Sequence, residues 1–185
     1  MSRFSQPEDP DVNEDLKMLY QDMLDNGFGD KEPIHWLTSQ SSRPDILAGT
    51  WAFSKGMLLQ GELPMMVKQM IATTISARNN CNYCQDLHGN TLGILGVSQA
   101  VVASCVTDPE LAEVPQPHRT ILQFAVKVSQ HPAEIDGDDF QSLRDHGVTQ
   151  SEMLEIMALS AYCNFINTWA DISCIRPESE NHSDE

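Results

Sequence analysis

The sequence predicts an all-α protein, a helical bundle. Apolar residues recur at three- and four-residue spacing through most of the chain. Sustained two-residue alternation is missing, so no strand is expected. Residues that start and stop helices punctuate the periodic stretches. A length of 185 residues suits one domain with an ordered extension. A hydrophobic fraction of 41% is ordinary for a globular chain. No internal repeat and no low-complexity tract appears.

The first predicted helix covers residues 11–26, with Leu16, Leu19, Tyr20, Met23 and Leu24 on one side and Gly27 as its stop. Residues 31–42 read as a loop with a turn around Ile34 and Leu37. Pro44 suits a first helical turn. The helix it opens spans residues 45–59, through Ile46, Leu47, Trp51, Phe53 and Met57, and Gly61 breaks it. Pro64 opens the next, to residue 77, with Val67, Met70, Ile71 and Ile75. Asn79 or Asn80 then caps a helix that carries two cysteines and ends before Gly96.

Ser98 caps a short helix to Cys105. Prolines 109, 115 and 117 mark a loop, and residues 118–130 form a helix on Ile121, Leu122, Phe124, Ala125 and Val128. Asp136 caps another that ends at Gly147. Thr149 and Glu152 form a capping box at the head of a long last helix. Residues 1–43 are thus an extension with one helix, 44–176 the helical domain, and 177–185 an acidic, solvated tail.

Net charge is −16, from 11 basic and 27 acidic residues. The basic residues form no patch, so neither nucleic acid nor anionic lipid is an expected partner. No apolar run approaches the ~20 residues of a membrane span. The first residues lack the apolar core of a secretory signal, and a cytoplasmic protein is expected. Five cysteines, an odd count, argue against a disulfide scaffold. Cys105, Cys163 and Cys174 sit in apolar helical patterns and read as small buried hydrophobes.

The chemistry concentrates in Cys81-Asn82-Tyr83-Cys84-Gln85-Asp86-Leu87-His88. On a helix, Cys84 lies about 60° and His88 about 20° round from Cys81, so two thiols and an imidazole share one stripe. Thiolate, not thiol, is the nucleophile, and free cysteine is mostly thiol at neutral pH. A helix N-terminus favours the anion, and would favour Cys81. His88, one turn beyond Cys84, makes Cys84 the expected nucleophile and Cys81 the resolving partner. Tyr83, inside the motif, either shapes the site or packs.

Other chemistries compete for these residues. Haem attachment needs His directly after the second cysteine, where Gln85 stands. A thioredoxin domain needs βαβ context. Zinc could take Cys81, Cys84 and His88, with a distant fourth ligand. A purely structural pair also remains open.

The stretch LPMMVKQMIATTISARNNCNYCQDLHGNTLGILG resembles the carboxymuconolactone decarboxylase superfamily, in its alkylhydroperoxidase D-like, peroxidase-related branch. The resemblance continues through ILQFAVKVSQHPAEIDGDDFQSLRDHGVTQSEMLEIMALSAYCNFINTWAD and covers residues 45–174. It implies an all-helical fold, a homotrimer or homohexamer, and thiol-dependent peroxidase activity. It implies Cys84 as the peroxidatic and Cys81 as the resolving cysteine, with His88 as a proton-relay base. A sulfenate on Cys84 would condense with Cys81 to a disulfide, and an external dithiol of lipoyl or thioredoxin type would reduce it. No metal and no further cofactor is expected.

One position departs from the family pattern. The relay carboxylate stands twelve residues before the first cysteine, and here that residue is Gln69. Glutamine orients by hydrogen bonds but takes no proton at neutral pH. Glu62 and Asp86, the nearest acids in sequence, are no obvious substitutes. A disulfide reductase or electron-transfer adaptor would use the same pair. Decarboxylation needs no cysteine pair, and a zinc-stapled, non-catalytic module needs no turnover.

Trp51, Phe53, Phe165 and Trp169 read as core rather than as a substrate pocket. His118 and His131 read as exposed. Asn164 and Asn167 either reach across to His88 or satisfy buried backbone groups, with the second expected. The N-terminal extension is expected to pack over a neighbouring subunit.

Overall fold

The structure is a computed structural model, and it describes residues 3, 13–108, 110 and 112–178. Among these, nine α-helices and no strand are found; one isolated bridge joins Gly29 and Pro33. The helices are α1 (Glu14–Asp25), α2 (His35–Thr38), α3 (Pro44–Ser54), α4 (Met65–Arg78), α5 (Asn82–Ile94), α6 (Gln99–Thr107), α7 (Gln116–Gln130), α8 (Gly137–Asp145) and α9 (Gln150–Ser173). No helix is long and apolar enough to cross a membrane, among the described residues.

Helix α4 is the axis. Every residue from Val67 to Ser76 is buried, because α5, α6, α7 and α9 surround it. A helix enclosed on all sides must satisfy its polar side chains internally. Lys68 shows how. Its ammonium donates to the carbonyls of Met57 and Gln60 and pairs with Glu155 at 3.4 Å. Glu155 in turn accepts from the backbone N–H groups of Glu62 and Leu63. Those contacts fasten the segment before α4 to α9.

The caps follow the sequence at several starts. Asn13 caps α1, Ser98 caps α6, Asp136 closes a capping box on α8, and Thr149 with Glu152 closes another on α9. The helix predicted over residues 45–59 ends earlier. After Ser54 it widens into a π-helical turn, Lys55–Leu59, which swings Leu58 and Leu59 onto a cavity wall.

The α4–α5 junction corrects the predicted cap. Asn79 and Asn80 finish α4 rather than start α5. Asn80 takes a left-handed conformation (φ 57°), which asparagine tolerates better than most residues. Asn80 N–H then bonds the carbonyl of Ala77, and Cys81 N–H bonds that of Ser76 at 3.0 Å, a Schellman closure. Cys81 is itself the N-cap of α5. One backbone device thus ends the central helix and places the first cysteine.

Helix α1 lies on α3 of its own chain. Asp22 accepts from Trp51 Nε1 and Lys55 Nζ, each at 2.6 Å. Lys55 holds the Asp22 carboxyl below its ordinary range, with Trp51 helping. The core reading holds for Trp51; Phe53 and Phe165 are exposed. Cys105 and Cys163 are buried as expected, but Cys174 is exposed in the left-handed turn that ends α9. His131 is exposed and His118 is half-buried. The predicted tail lies mostly outside the described residues. Glu178, counted in it, is packed against the body.

Candidate active site

Cys81 and Cys84 are both fully buried, and their sulfurs lie 2.7 Å apart. A disulfide bond is about 2.05 Å, so closing one needs less than an ångström of movement. Cys81 is the N-cap of α5, without a side-chain capping bond, and Cys84 is the third residue of that helix. Contact with Cys81 and burial push the Cys84 thiol well up.

His88 is buried one helical turn beyond Cys84. It makes no hydrogen bond to either sulfur among the described residues. Its Nδ1 meets Gln69 Oε1 at 2.7 Å, and the Gln69 amide nitrogen donates to the Met65 sulfur at 3.4 Å. With a carbonyl oxygen facing it, Nδ1 carries the proton and Nε2 keeps its lone pair. Burial lowers His88 to about 4, so the ring is neutral at pH 7. The expectation that His88 supplies thiolate by direct contact is not met in this geometry. What the structure brings together is His88 with Gln69.

His88 and Gln69 form the polar edge of a cavity of about 240 Å³. The rest of its lining is mainly apolar, including Leu58, Met65, Leu87, Tyr162 and Ile166. Phe28, Ile34 and Trp36 close it from the N-terminal extension. That role was not legible in the sequence, where Ile34 and Trp36 read as part of a loop and Phe28 had no assigned role. Their apolar character was the sole signal, and nothing local placed them beside α5.

Tyr83 has a defined place. Its hydroxyl accepts from the Trp36 N–H at 3.1 Å and donates to Glu178 Oε1 at 2.9 Å. Glu178 Oε1 also accepts from the His35 N–H at 2.8 Å. Burial, then the Glu178 charge, push the Tyr83 phenol up, so it stays a neutral donor. The C-terminal end, α2 and the cysteine motif are thereby tied together. Glu178 was missed because acidic runs near a terminus ordinarily read as solvated.

Asn167 and Asn164 do not meet His88. They join Asn79, Ser76, Ser129 and Gln130 in a network at the α4–α7–α9 contact. Nor do Cys81, Cys84 and His88 make a zinc site. Among the described residues, no three His, Cys, Asp or Glu side chains are grouped to hold a metal.

Residues 44–113 match the carboxymuconolactone decarboxylase family. This segment belongs to that family. The match includes α3 through α6 and therefore Gln69, Cys81, Cys84 and His88. The whole fold is that of the alkylhydroperoxidase AhpD core. An uncharacterized peroxidase-related protein from Ralstonia eutropha JMP134 superposes with a TM-score of 0.88 at 27% identity, covering 97% of this chain and 93% of that one. A second peroxidase-related protein, from Silicibacter sp. TM1040, gives 0.86 at 21% identity over 98% and 94%. The debrominase Bmp8, as a cysteine-to-alanine form with 2,3,4-tribromopyrrole, gives 0.80 at 19% identity over 99% and 97%. No curated protein matches the chain.

Proposed function

We propose that this protein is a thiol-dependent peroxidase that reduces organic or hydrogen peroxide through Cys84 and Cys81. The observation that carries this reading is the 2.7 Å sulfur pair, sealed from water one turn from an imidazole at the edge of an apolar cavity. The likeness to the AhpD core of a peroxidase-related protein supports it.

In this reading the Cys84 thiolate attacks one peroxide oxygen and the O–O bond breaks. The thiol proton passes to the departing alkoxide, giving an alcohol, with His88 Nε2 as the relay base once movement brings it to the sulfur. Cys84 is left as a sulfenic acid. The Cys81 thiol attacks it, forms the disulfide and releases water. An external dithiol, of lipoyl or thioredoxin type, then supplies two electrons and two protons by exchange. Gln69 fixes the ring so that Nε2 faces the cavity, but its amide ends the proton path. The exposed Leu154, Met157, Phe165 and Ile172 along α9 support the homo-oligomer expected from the family.

A second reading, electron transfer to another disulfide, rests on Gln69. An imidazole without a carboxylate partner is less able to carry a proton through a peroxide cycle. Full burial of both sulfurs weighs against a large partner reaching them in this state.

The test is a thiol count. Fully reduced protein is mixed with one equivalent of cumene hydroperoxide and free thiols are followed. Wild type is expected to lose two thiols rapidly. Cys84→Ser should lose none, and Cys81→Ser should lose one and leave a sulfenic acid that dimedone traps. Thiols that persist for many minutes in wild type would sink the peroxidase reading and favour disulfide exchange.

A further inference from the structure

One wall of the cavity comes from a segment that is not regular α-helix. Leu58, which is buried, and Leu59, which is exposed, both line it, and both belong to the π-helical turn Lys55–Leu59. Such turns are rare and often mark functional sites. This one is tied to other helices at both ends. At its start, Ser54 Oγ accepts from the Tyr162 hydroxyl on α9 at 2.6 Å and donates to the carbonyl of Thr50 at 2.8 Å. At its end, the carbonyls of Met57 and Gln60 both accept from Lys68 Nζ on α4. Those two carbonyls bracket Leu58 and Leu59 in the chain.

Lys68 is 3% exposed, and a buried ammonium is costly unless its donors are met. It has three N–H donors, and three acceptors face it: the two carbonyls and, at 3.4 Å, Glu155. Glu155 is fixed in turn, because it accepts from the N–H groups of Glu62 and Leu63. Gly61 (φ 100°) lets the carboxylate approach, since a Cβ there would collide with it. A buried ion pair brings little net stability, so its use here is better explained by the one geometry it holds. The next residue on α4, Gln69, holds His88 at 2.7 Å. Adjacent residues of one helix thus hold the leucine wall and the polar edge of the same cavity.

We propose that Lys68, with Glu155, is a positioning residue. It sets where Leu58 and Leu59 stand, and so how tightly the cavity grips the organic part of a hydroperoxide. This rests on the reading of the cavity as the substrate site of a peroxidase.

The test is binding of 2-phenyl-2-propanol, the alcohol left by cumene hydroperoxide, to the reduced protein in an NMR titration. Lys68→Met removes the donors and keeps an unbranched side chain. The Kd is expected to rise about threefold to tenfold, as for a partial loss of apolar contact. With Leu58 and Leu59 both already alanine, Lys68→Met should change the Kd by less than about twofold, because the wall it positions is gone. A merely structural role would weaken binding by the same factor in both backgrounds. That outcome, or no change in either, would overturn the proposal, as would a wild type that binds no 2-phenyl-2-propanol. Should Lys68→Met fail to fold, Glu155→Gln removes the charge facing Lys68 and keeps an oxygen for the Glu62 and Leu63 N–H groups. Its expected rise is about twofold to fivefold, again only where both leucines are present. No rise, or an equal rise in both backgrounds, would overturn the proposal equally. The titration needs no turnover. A protein inert toward peroxide can still pass, so failure here is distinct from failure of the peroxidase reading.

Discussion

Two polar groups of side chains adjoin the cysteine helix, and they are built differently. At the cavity edge, His88 and Gln69 share one 2.7 Å bond, and His88 Nε2 has no partner among the described residues. At the α4–α7–α9 contact, three asparagines, two serines and a glutamine engage one another closely. A group that moves protons needs a spare lone pair beside its substrate. A group that holds packed helices in register needs every orientation determined. The molecule separates the two tasks between different helices.

Disrupting the amide network is expected to have the largest effect. Asn79→Ala leaves the buried Asn167 oxygen unpaired, frees Gln130 and removes the cap residue of α4. The expected loss is about 2 to 3 kcal/mol, or roughly 5 to 10 °C in Tm for a chain of this size. Gln69→Leu removes a single bond beside a cavity and should cost about 1 kcal/mol. Thermal unfolding of the two variants side by side checks the contrast, and equal losses would break it.

The cavity edge should respond in kinetics and pH dependence. Burial lowers His88 from 6.5 to about 4. The unfolded chain therefore binds this proton first as pH falls. Stability is full above 6.5 and declines as pH drops toward 4, by up to about 3 kcal/mol from this group. Gln69→Glu puts a carboxylate at the Nδ1 proton and favours the imidazolium. His88 is expected to titrate at least one unit higher by NMR, the acid decline to flatten, and peroxide reduction to quicken about tenfold. An unchanged rate would show that a relay carboxylate is irrelevant here.

The sequence revealed the helices and the cysteine motif because both are local patterns. A 3.6-residue period, two capping boxes and a C-x-x-C-x-x-x-H spacing are written in adjacent residues. The α4–α5 turn was misread because asparagine serves both ends of a helix, and only the backbone shows that Asn80 is left-handed. His88 was assigned to the cysteines because helix geometry places it near them. Its partner, Gln69, lies on another helix and wins through a neutral hydrogen bond in a buried site. Glu178 acts across 95 residues of chain from Tyr83, a separation at which no periodicity speaks.

The smallest effect, and the sharpest for the cavity, should come from Phe28→Ala. Phe28 lines the cavity from the N-terminal extension and stacks edge-on against Trp51 at 4.9 Å between centroids. Being half-buried, it should cost about 1 to 2 kcal/mol when truncated, part of it the aromatic contact. If the cavity holds the organic part of a hydroperoxide, the lost wall weakens binding of that part alone. The KM for cumene hydroperoxide is expected to rise about threefold to tenfold, with kcat little changed, since apolar contact of this size is worth roughly 1 kcal/mol. Hydrogen peroxide has no organic part to press against the wall, so its rate should stay within about twofold. Equal losses for both peroxides would mean that Phe28 only supports the fold. A change confined to the bulky substrate would show that the extension, outside the segment matched to the family, sets which peroxides reach His88.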